Sequence, residues 1–287
     1  MLSLPTLETI KPTNNLELEL KCDRFGQTII SHQYATYPLS VSPVFRLDDE
    51  DDSHRAYLYI VSTSPGLLAG DELNVSLQLA ANTSLYLTDQ AATKVHSMPA
   101  AKATTHYEIE IGPGASLELI PEPLILYADA ALEQTINIKI HDTAKLCLSE
   151  IILPGRLARG EFYQFQHYFS RLRVTSTWGE LWFSDAMRLE GKLNPFIQSH
   201  LFSCAPVLGS LIVILPETNW ELLSASVENL AAANCSDLTV ASSILPDHKG
   251  LLIRAMANGT HELKNYWKYV LNCVRRSSYQ SPLPDSL

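Results

Sequence analysis

Apolar residues alternate with polar ones along much of this chain, and the alternation repeats as a unit. Residues 73–89 read LNVSLQLAANTSLYLTD, residues 107–122 read YEIEIGPGASLELIPE and residues 136–150 read INIKIHDTAKLCLSE. Each is an alternating strand, a short turn and a second alternating strand. A period of two puts every second side chain on one face. Val75, Leu77, Leu79, Leu85 and Leu87 fall in step with Tyr107, Ile109, Ile111, Leu117 and Leu119, and again with Ile136, Ile138, Ile140, Leu146 and Leu148. The step across the turn is the same in all three, and the unit recurs at about thirty residues, the range of repeated supersecondary units.

One such unit cannot bury its apolar face alone, whereas stacked units bury a continuous one. The expected fold is therefore mainly β: stacked β-hairpin repeats, β-helical or sandwich-like, over about residues 16–190. Leu16, Leu18 and Leu20, alternating with Glu17 and Glu19, begin the pattern. Register should be strict, because a slip of one residue would turn every leucine outward. Trp178, Trp182 and Phe183 are expected in the core. The acidic run Asp48-Asp49-Glu50-Asp51-Asp52 reads as a solvated loop, or a surface that meets a basic partner.

Over about residues 191–276 the pattern becomes mixed. Residues 210–215 and 250–255 read as buried strands. A helix is predicted over 218–233, with Leu222, Leu223, Val227 and Leu230 on one stripe. A second is predicted over 261–276, carrying Leu263, Trp267, Val270, Leu271 and Val274. Gly259-Thr260 is a reasonable start for it, with Glu262 in the first turn and Arg275-Arg276 in the last. Two helices thus fall in the C-terminal third. Residues 277–287 are expected to fray as a tail. No linker interrupts the chain, so 1–287 reads as one domain.

The net charge of −10 over 287 residues argues against a nucleic-acid binder, which would show a basic face. No apolar run reaches membrane-spanning length, and the N-terminus lacks the basic and apolar regions of a secretory signal. Cys22, Cys147, Cys204, Cys235 and Cys273 are widely spaced with no CxxC pair, so reduced thiols in a cytoplasmic protein are expected.

The common catalytic and phosphate-binding signatures are absent: no GxxxxGK[ST], no GxSxG, no HExxH. The nine histidines are never closer than ten residues apart, so no two share a helix turn. The repeat itself offers chemistry. Continuing its second strands by two residues puts Asp89 and Glu150 on the leucine face, with Pro121 at the matching place in the middle unit and Glu122 one step later. Inward carboxylates are costly unless hydrated, paired or bound to a cation. Either the strands end before these acids, which then lie in loops, or the acids line a hydrated passage that holds divalent cations weakly. Asp71, after the Gly70 turn of SPGLLAGD, is either an ordinary turn aspartate or part of the same set. Lys94 is a surface lysine or a partner for a nearby carboxylate. Asp185, in LWFSDAMRLEG, is a strand-end acid.

Pro65-Gly66…Gly70-Asp71, Ala92-Thr93-Lys94, Leu119-Ile120-Pro121-Glu122, Gly155-Arg156…Gly160-Glu161 and Arg254…Trp267 occur in this order. With them the chain, from about residue 16 to about 275, resembles the urease accessory protein UreD family, also called UreH. The resemblance implies a non-catalytic metallochaperone scaffold that binds urease apoprotein and recruits UreF and the GTPase UreG. A heterodimer with UreF, or a dimer of heterodimers, is implied. No cofactor would be tightly bound; Ni²⁺ would be in transit through an internal tunnel. By motif match Asp71, Glu150 and Asp185 are candidates for the nickel passage and Thr93 for its polar lining, to which the repeat adds Asp89. Lys94, Arg156 and Glu161 match the family pattern as partner-contact or structural residues. The chain departs from the pattern at Gly66-Leu67-Leu68-Ala69-Gly70, usually richer in glycine, and at Glu122, usually separated from Pro121. It also departs at His96, where Tyr often stands; His96 is either a nickel ligand or a structural or solvated histidine.

Two other readings compete. One is a carbohydrate-active β-helix enzyme using Glu122, Glu150 and Asp185 as acid and base, which needs a groove with two carboxylates about 5–10 Å apart. The other is an interaction module with no metal role.

Overall fold

The computed structural model describes residues 14–48, 54–193, 196–234, 238–278 and 280–284, with the side chains of residues 197 and 230–234 left aside. Strands dominate it. The first are β1 (Leu16–Cys22), β2 (Thr28–Ala35), β3 (Leu39–Val41) and β4 (Ala56–Ser62). Three repeated units follow: β5 (Glu72–Leu79) with β6 (Ser84–Asp89) and β7 (Thr93–Val95); β8 (Ala103–Ile111) with β9 (Ser116–Leu119) and β10 (Leu124–Leu126); and β11 (Ala131–Ile140) with β12 (Lys145–Leu153). Then come β13 (His167–Ser176), β14 (Leu181–Leu189), the short helix α1 (His200–Cys204) and β15 (Val207–Ile214). Helix α2 (Trp220–Asn234), β16 (Leu238–Ile244), β17 (Leu251–Ala257) and α3 (Thr260–Ser277) close the chain.

The strands form two sheets. The first runs β14-β13-β11-β8-β5-β1-β2, parallel from β13 to β1 with an antiparallel strand at each edge. The second runs β16-β17-β15-β12-β9-β6-β4-β3, with β7 and β10 attached beside β12. The repeat read from sequence is the pairing register itself. Val75 pairs with Tyr107 and Tyr107 with Ile136; Leu85 pairs with Leu117 and Leu117 with Leu146. The two strands of one unit do not pair with each other, as hairpin strands would. They lie in opposite sheets, each bonded to the same strand of the next unit, and the structure is a stacked, solenoid-like one. The turns stack too: Gly114 N–H donates to Thr143 Oγ1 of the next turn at 2.9 Å. A Cβ on Gly112 would stand 2.8 Å from the Leu79 carbonyl oxygen, so this close approach requires glycine.

Burial explains which strands alternate and which do not. The leucine and isoleucine rows of both sheets meet in one inter-sheet core. The outer face of the first sheet is polar, so β1 and β11 alternate. The second sheet is covered on its other face by α2 and α3, and β9 and β12 are buried on both faces. A third cluster, including Leu67, Val95, Leu126 and Phe165, fills the side where β7 and β10 run.

Several local expectations are revised. Trp178 is 86 % exposed at the β13–β14 turn, while Trp182 is buried. Leu222 points outward on α2, whose buried side carries Trp220, Leu223 and Val227; the side chain of Leu230 is outside those described. Strand β16 and helix α1 had no sequence signal. Asp48 is not solvated: its side chain is 3 % exposed beside Arg55 and Arg275. Asp49, Glu50, Asp51, Asp52 and Cys235 lie outside the described residues. The tail, as far as it is described, is tied down. Leu283 is buried and its N–H donates to Asn272 Oδ1 at 2.7 Å.

Helix α3 is held by charge as well as by Leu263, Trp267, Val270 and Leu271. Arg275, fully buried, donates to Glu118 of β9 at 2.6 and 2.9 Å. Arg55 meets the same carboxylate at 2.9 Å, and Gln280 accepts from Arg55 at 2.9 Å. Burial alone would push the Glu118 carboxyl up; Arg55 and Arg275 more than offset this and hold it below its usual range.

Candidate functional site

Between the sheets, on the side toward β7 and β10, lies a cavity of about 270 Å³. Its walls come from β5, β8, β11, β13 and β14 of one sheet and from β4, β6, β9, β12, β15 and β17 of the other. The cavity therefore runs across the strands, along the stacking axis. At the usual inter-strand spacing this is a path of roughly 20 Å.

Register decides its chemistry. In the first sheet, Leu73, Thr105, Gln134, Ser170 and Met187 form one cross-strand row, so three polar side chains stand side by side in an otherwise apolar wall. The adjacent row is Val75, Tyr107, Ile136 and Leu172 and ends at Asp185. In the second sheet, β6 runs as far as Asp89 and β12 runs past Glu150, so both acids continue the inward leucine row. Glu150 pairs with Ser210 on β15, and Ser210 with Arg254 on β17.

Glu150 lies deep in the cavity wall. It accepts hydrogen bonds from Gln134 Nε2 at 2.8 Å and from the Tyr168 hydroxyl. Burial raises its carboxyl above the usual range, although Tyr168, Arg254 and Gln134 each oppose that. Burial likewise lifts the Tyr168 hydroxyl well above its usual range, so it stays a donor. Asp185, across the cavity, forms an ion pair with Arg254, whose other guanidinium nitrogen donates to Ser210 Oγ at 2.8 Å. This contact joins the two sheets beyond the last repeat.

Asp89 lies toward the other end, near Glu122. Burial pushes its carboxyl up to about 7, Glu122 adds to the rise, and a hydrogen bond from the Glu122 backbone partly opposes it. Glu122 is in turn paired with Lys264 of α3 at 2.6 Å. Thr93 and Lys94 of β7 line the cavity here. Lys94 is exposed and forms no ion pair among the described residues.

The remaining sequence candidates lie elsewhere. Asp71 is not among the lining residues; its carboxylate accepts from the Leu68 N–H at 2.7 Å and closes a turn. SPGLLAGD adds one more segment to the third side. Leu67 N–H donates to the Lys94 carbonyl at 2.8 Å, and His96 N–H to the Leu67 carbonyl at 3.0 Å. Gly66, at φ +144°, allows that approach, since a Cβ there would stand 2.3 Å from the Lys94 carbonyl oxygen. Arg156 pairs with Glu161, Nε to Oε2 at 2.9 Å, and stacks over Tyr127 at 4.3 Å. The His96 ring meets the edge of the same Tyr127, and its Nε2 lies 3.1 Å from the Pro65 carbonyl oxygen. Arg156, Glu161, Tyr127 and His96 together knit the third side.

Sequence reasoning missed Thr105, Gln134, Ser170, Ser210 and Tyr168, and found Arg254 only as a family match, without its pairing to Asp185. The first two had a signal: they stand two residues before Tyr107 and Ile136, so extending the repeat backward finds them. Among the described residues no three His, Cys, Asp or Glu side chains converge as a metal-holding group, and no helix is long and apolar enough to cross a membrane. The arrangement is a cavity with isolated carboxyls, each with its own partner, rather than a chelating centre.

Comparison with known proteins agrees over the whole chain. The model of the family described as UreD urease accessory protein matches residues 13–286. A urease accessory protein UreD from Trichodesmium erythraeum is 57 % identical over 95 % of this chain and 98 % of that protein. Those of Haloarcula marismortui and Bacillus cereus are 30 % and 26 % identical, over 89 % and 95 % of this chain and 84 % and 97 % of the relatives. An in-register β stack with an acid-lined cavity, matched over nearly its full length, thus belongs to the UreD family of urease accessory proteins.

Proposed function

We propose that this chain is a non-catalytic scaffold in urease maturation that binds urease apoprotein, UreF and UreG and carries Ni²⁺ through the inter-sheet cavity. The observation that carries the reading is the line of Asp89, Glu150 and Asp185 along one cavity that crosses five strands of the first sheet. Hard oxygen ligands spaced singly hold a divalent cation weakly enough to release it. Burial, which raises the Glu150 carboxyl above its usual range, fits the same role, because an arriving cation then competes with a proton for that carboxylate. Lys94 near one end and Arg254 near the other would limit how many cations dwell inside. The working assembly on this reading is a heterodimer with UreF, or a dimer of heterodimers, in the cytoplasm.

The acid and base pairing of a glycosidase is less well supported. Glu122 is engaged by Lys264, Asp185 by Arg254 and Glu150 by Tyr168 and Gln134.

The test is co-expression with the cognate urease subunits, UreF and UreG. Wild type is compared with Asp89→Asn, Glu150→Gln and Asp185→Asn combined, and nickel-dependent urease activity is read alongside pull-down of the complex. Intact complexes with activity reduced at least about tenfold, or 1.4 kcal/mol, support the conduit. Equal activity leaves only the scaffold.

A further inference from the structure

One pair of metal-ligating side chains belongs neither to the cavity nor to the charge cluster under α3. His200 and Cys204 are four residues apart on α1, the helix between β14 and β15. That spacing puts them on one side of the helix. Both are exposed, and Cys204 is a free thiol. The Cys204 Sγ stands 3.7 Å from His200 Nε2 and 4.0 Å from Nδ1. Among the described residues the imidazole has no other polar partner, and the thiol has only Ser203 Oγ, at 4.0 Å.

That separation has a meaning in coordination geometry. An ion about 2.3 Å from sulfur and about 2.1 Å from nitrogen, with a tetrahedral angle between them, needs its two donors about 3.6 Å apart. The right angle of a square-planar ion needs about 3.1 Å. The pair already stands near the tetrahedral value, and a turn of the imidazole brings a lone pair onto the shared ion. Thiolate with imidazole is also the donor set that suits Zn²⁺, whereas carboxylates and waters suit harder ions.

We propose that His200 and Cys204 form a two-point Zn²⁺ site on the surface of this chain, its other two positions filled by water or by side chains of a second protein. The site does not rest on the nickel reading above: it lies outside the cavity, and either could fail with the other standing.

Titration of the full chain with Co²⁺, a spectroscopic stand-in for Zn²⁺, tests it through the visible absorption of tetrahedral thiolate-bound cobalt. Wild type and the control Cys22→Ser should show the absorption at one equivalent and lose it when Zn²⁺ is added. Cys204→Ser should abolish it. His200→Ala should weaken Co²⁺ by more than the about tenfold that loss of an outer partner costs. Cys204→His, which keeps two donors, should still bind Zn²⁺. Undiminished absorption in Cys204→Ser, unchanged affinity in His200→Ala, or octahedral cobalt spectra in wild type would each overturn the assignment. Both positions are exposed, so a far-UV circular dichroism match to wild type is expected for every variant.

Discussion

Arg275 on the last helix and Glu118 on β9 are 157 positions apart in sequence and form a two-point charge-assisted contact of 2.6 and 2.9 Å in a fully buried site. The contact fixes α3 to the face of the second sheet opposite the cavity. With Arg55 and Asp48, two positive and two negative groups are enclosed together. Removing one leaves an uncompensated buried charge, which typically costs about 3–5 kcal/mol. Arg275→Met and Glu118→Gln should each lower stability by about that much. The double variant leaves Arg55 with Asp48, so its loss should fall short of the sum. Urea unfolding of the three variants measures this, and strict additivity would mean that the two residues act separately.

The same carboxylate makes stability depend on acid. Glu118 is depressed in the folded chain relative to its ordinary 4.5. Its contribution is therefore complete above that value and is lost as pH falls through the lower folded value. Glu118→Gln should flatten the acid limb of a plot of unfolding free energy against pH. An acid limb identical to wild type would count against this.

How much of this could be read in advance differs from residue to residue. The Val75–Tyr107–Ile136 register was legible because one side chain in two must point inward and the spacing repeats. The placement of each unit's two strands in opposite sheets was not, since a hairpin and an arch between sheets share the same alternation. Glu118 stands between leucines where alternation makes it a surface residue; only the docking of α3 buries it, and nothing local announces Arg275. His200 and Cys204 share a face only because residues 200–204 form α1, a five-residue helix too short to leave a periodic signal in the sequence. Of the site, Asp89 and Glu150 were visible as continuations of the leucine rows, whereas strand order alone brings Arg254 to Asp185 and Tyr168 to Glu150.

Trp178 and Trp182 make a direct contrast four residues apart. Trp178 is 86 % exposed, so Trp178→Ser should change stability by less than about 0.5 kcal/mol. Trp182 is buried in the inter-sheet core beneath Lys249, 4.6 Å from its ring, and Trp182→Ala should cost about 3–5 kcal/mol. Thermal unfolding would show equal losses if the β13–β14 turn were in fact covered.

Asp89 behaves oppositely to Glu118. Its folded value is about 7 against an ordinary 3.8, so the folded chain binds the proton more tightly. Stability from this group is complete below pH 3.8 and is lost as pH rises toward about 7. Asp89→Asn, which stays neutral, should unfold at the same temperature as wild type near pH 4 and at a higher one at pH 8. A difference that does not change between those pH values would assign the effect to packing rather than to charge.

The conduit reading makes a steric demand that charge substitutions do not test. Ser170 lies on β13 in the polar row between Gln134 and Met187, buried and against the cavity. Its hydroxyl is 3.4 Å from Gln134 Nε2, so the polar wall depends on it only weakly. Ser170→Leu adds two heavy atoms to a lumen of about 270 Å³ spread across five strands of the first sheet, enough to close it locally. Overpacking of this kind costs about 1–3 kcal/mol, which a stack of this size should survive. Ser170→Ala opens the same point without adding bulk. In the co-expression assay Ser170→Leu should still assemble with its partners and should activate urease at least about tenfold less, a change of 1.4 kcal/mol, while Ser170→Ala should stay near wild type. Equal activation by both would mean that the metal does not travel through the cavity, whatever its acids do. Loss of assembly in Ser170→Leu alone would instead make the cavity wall part of what partners recognise.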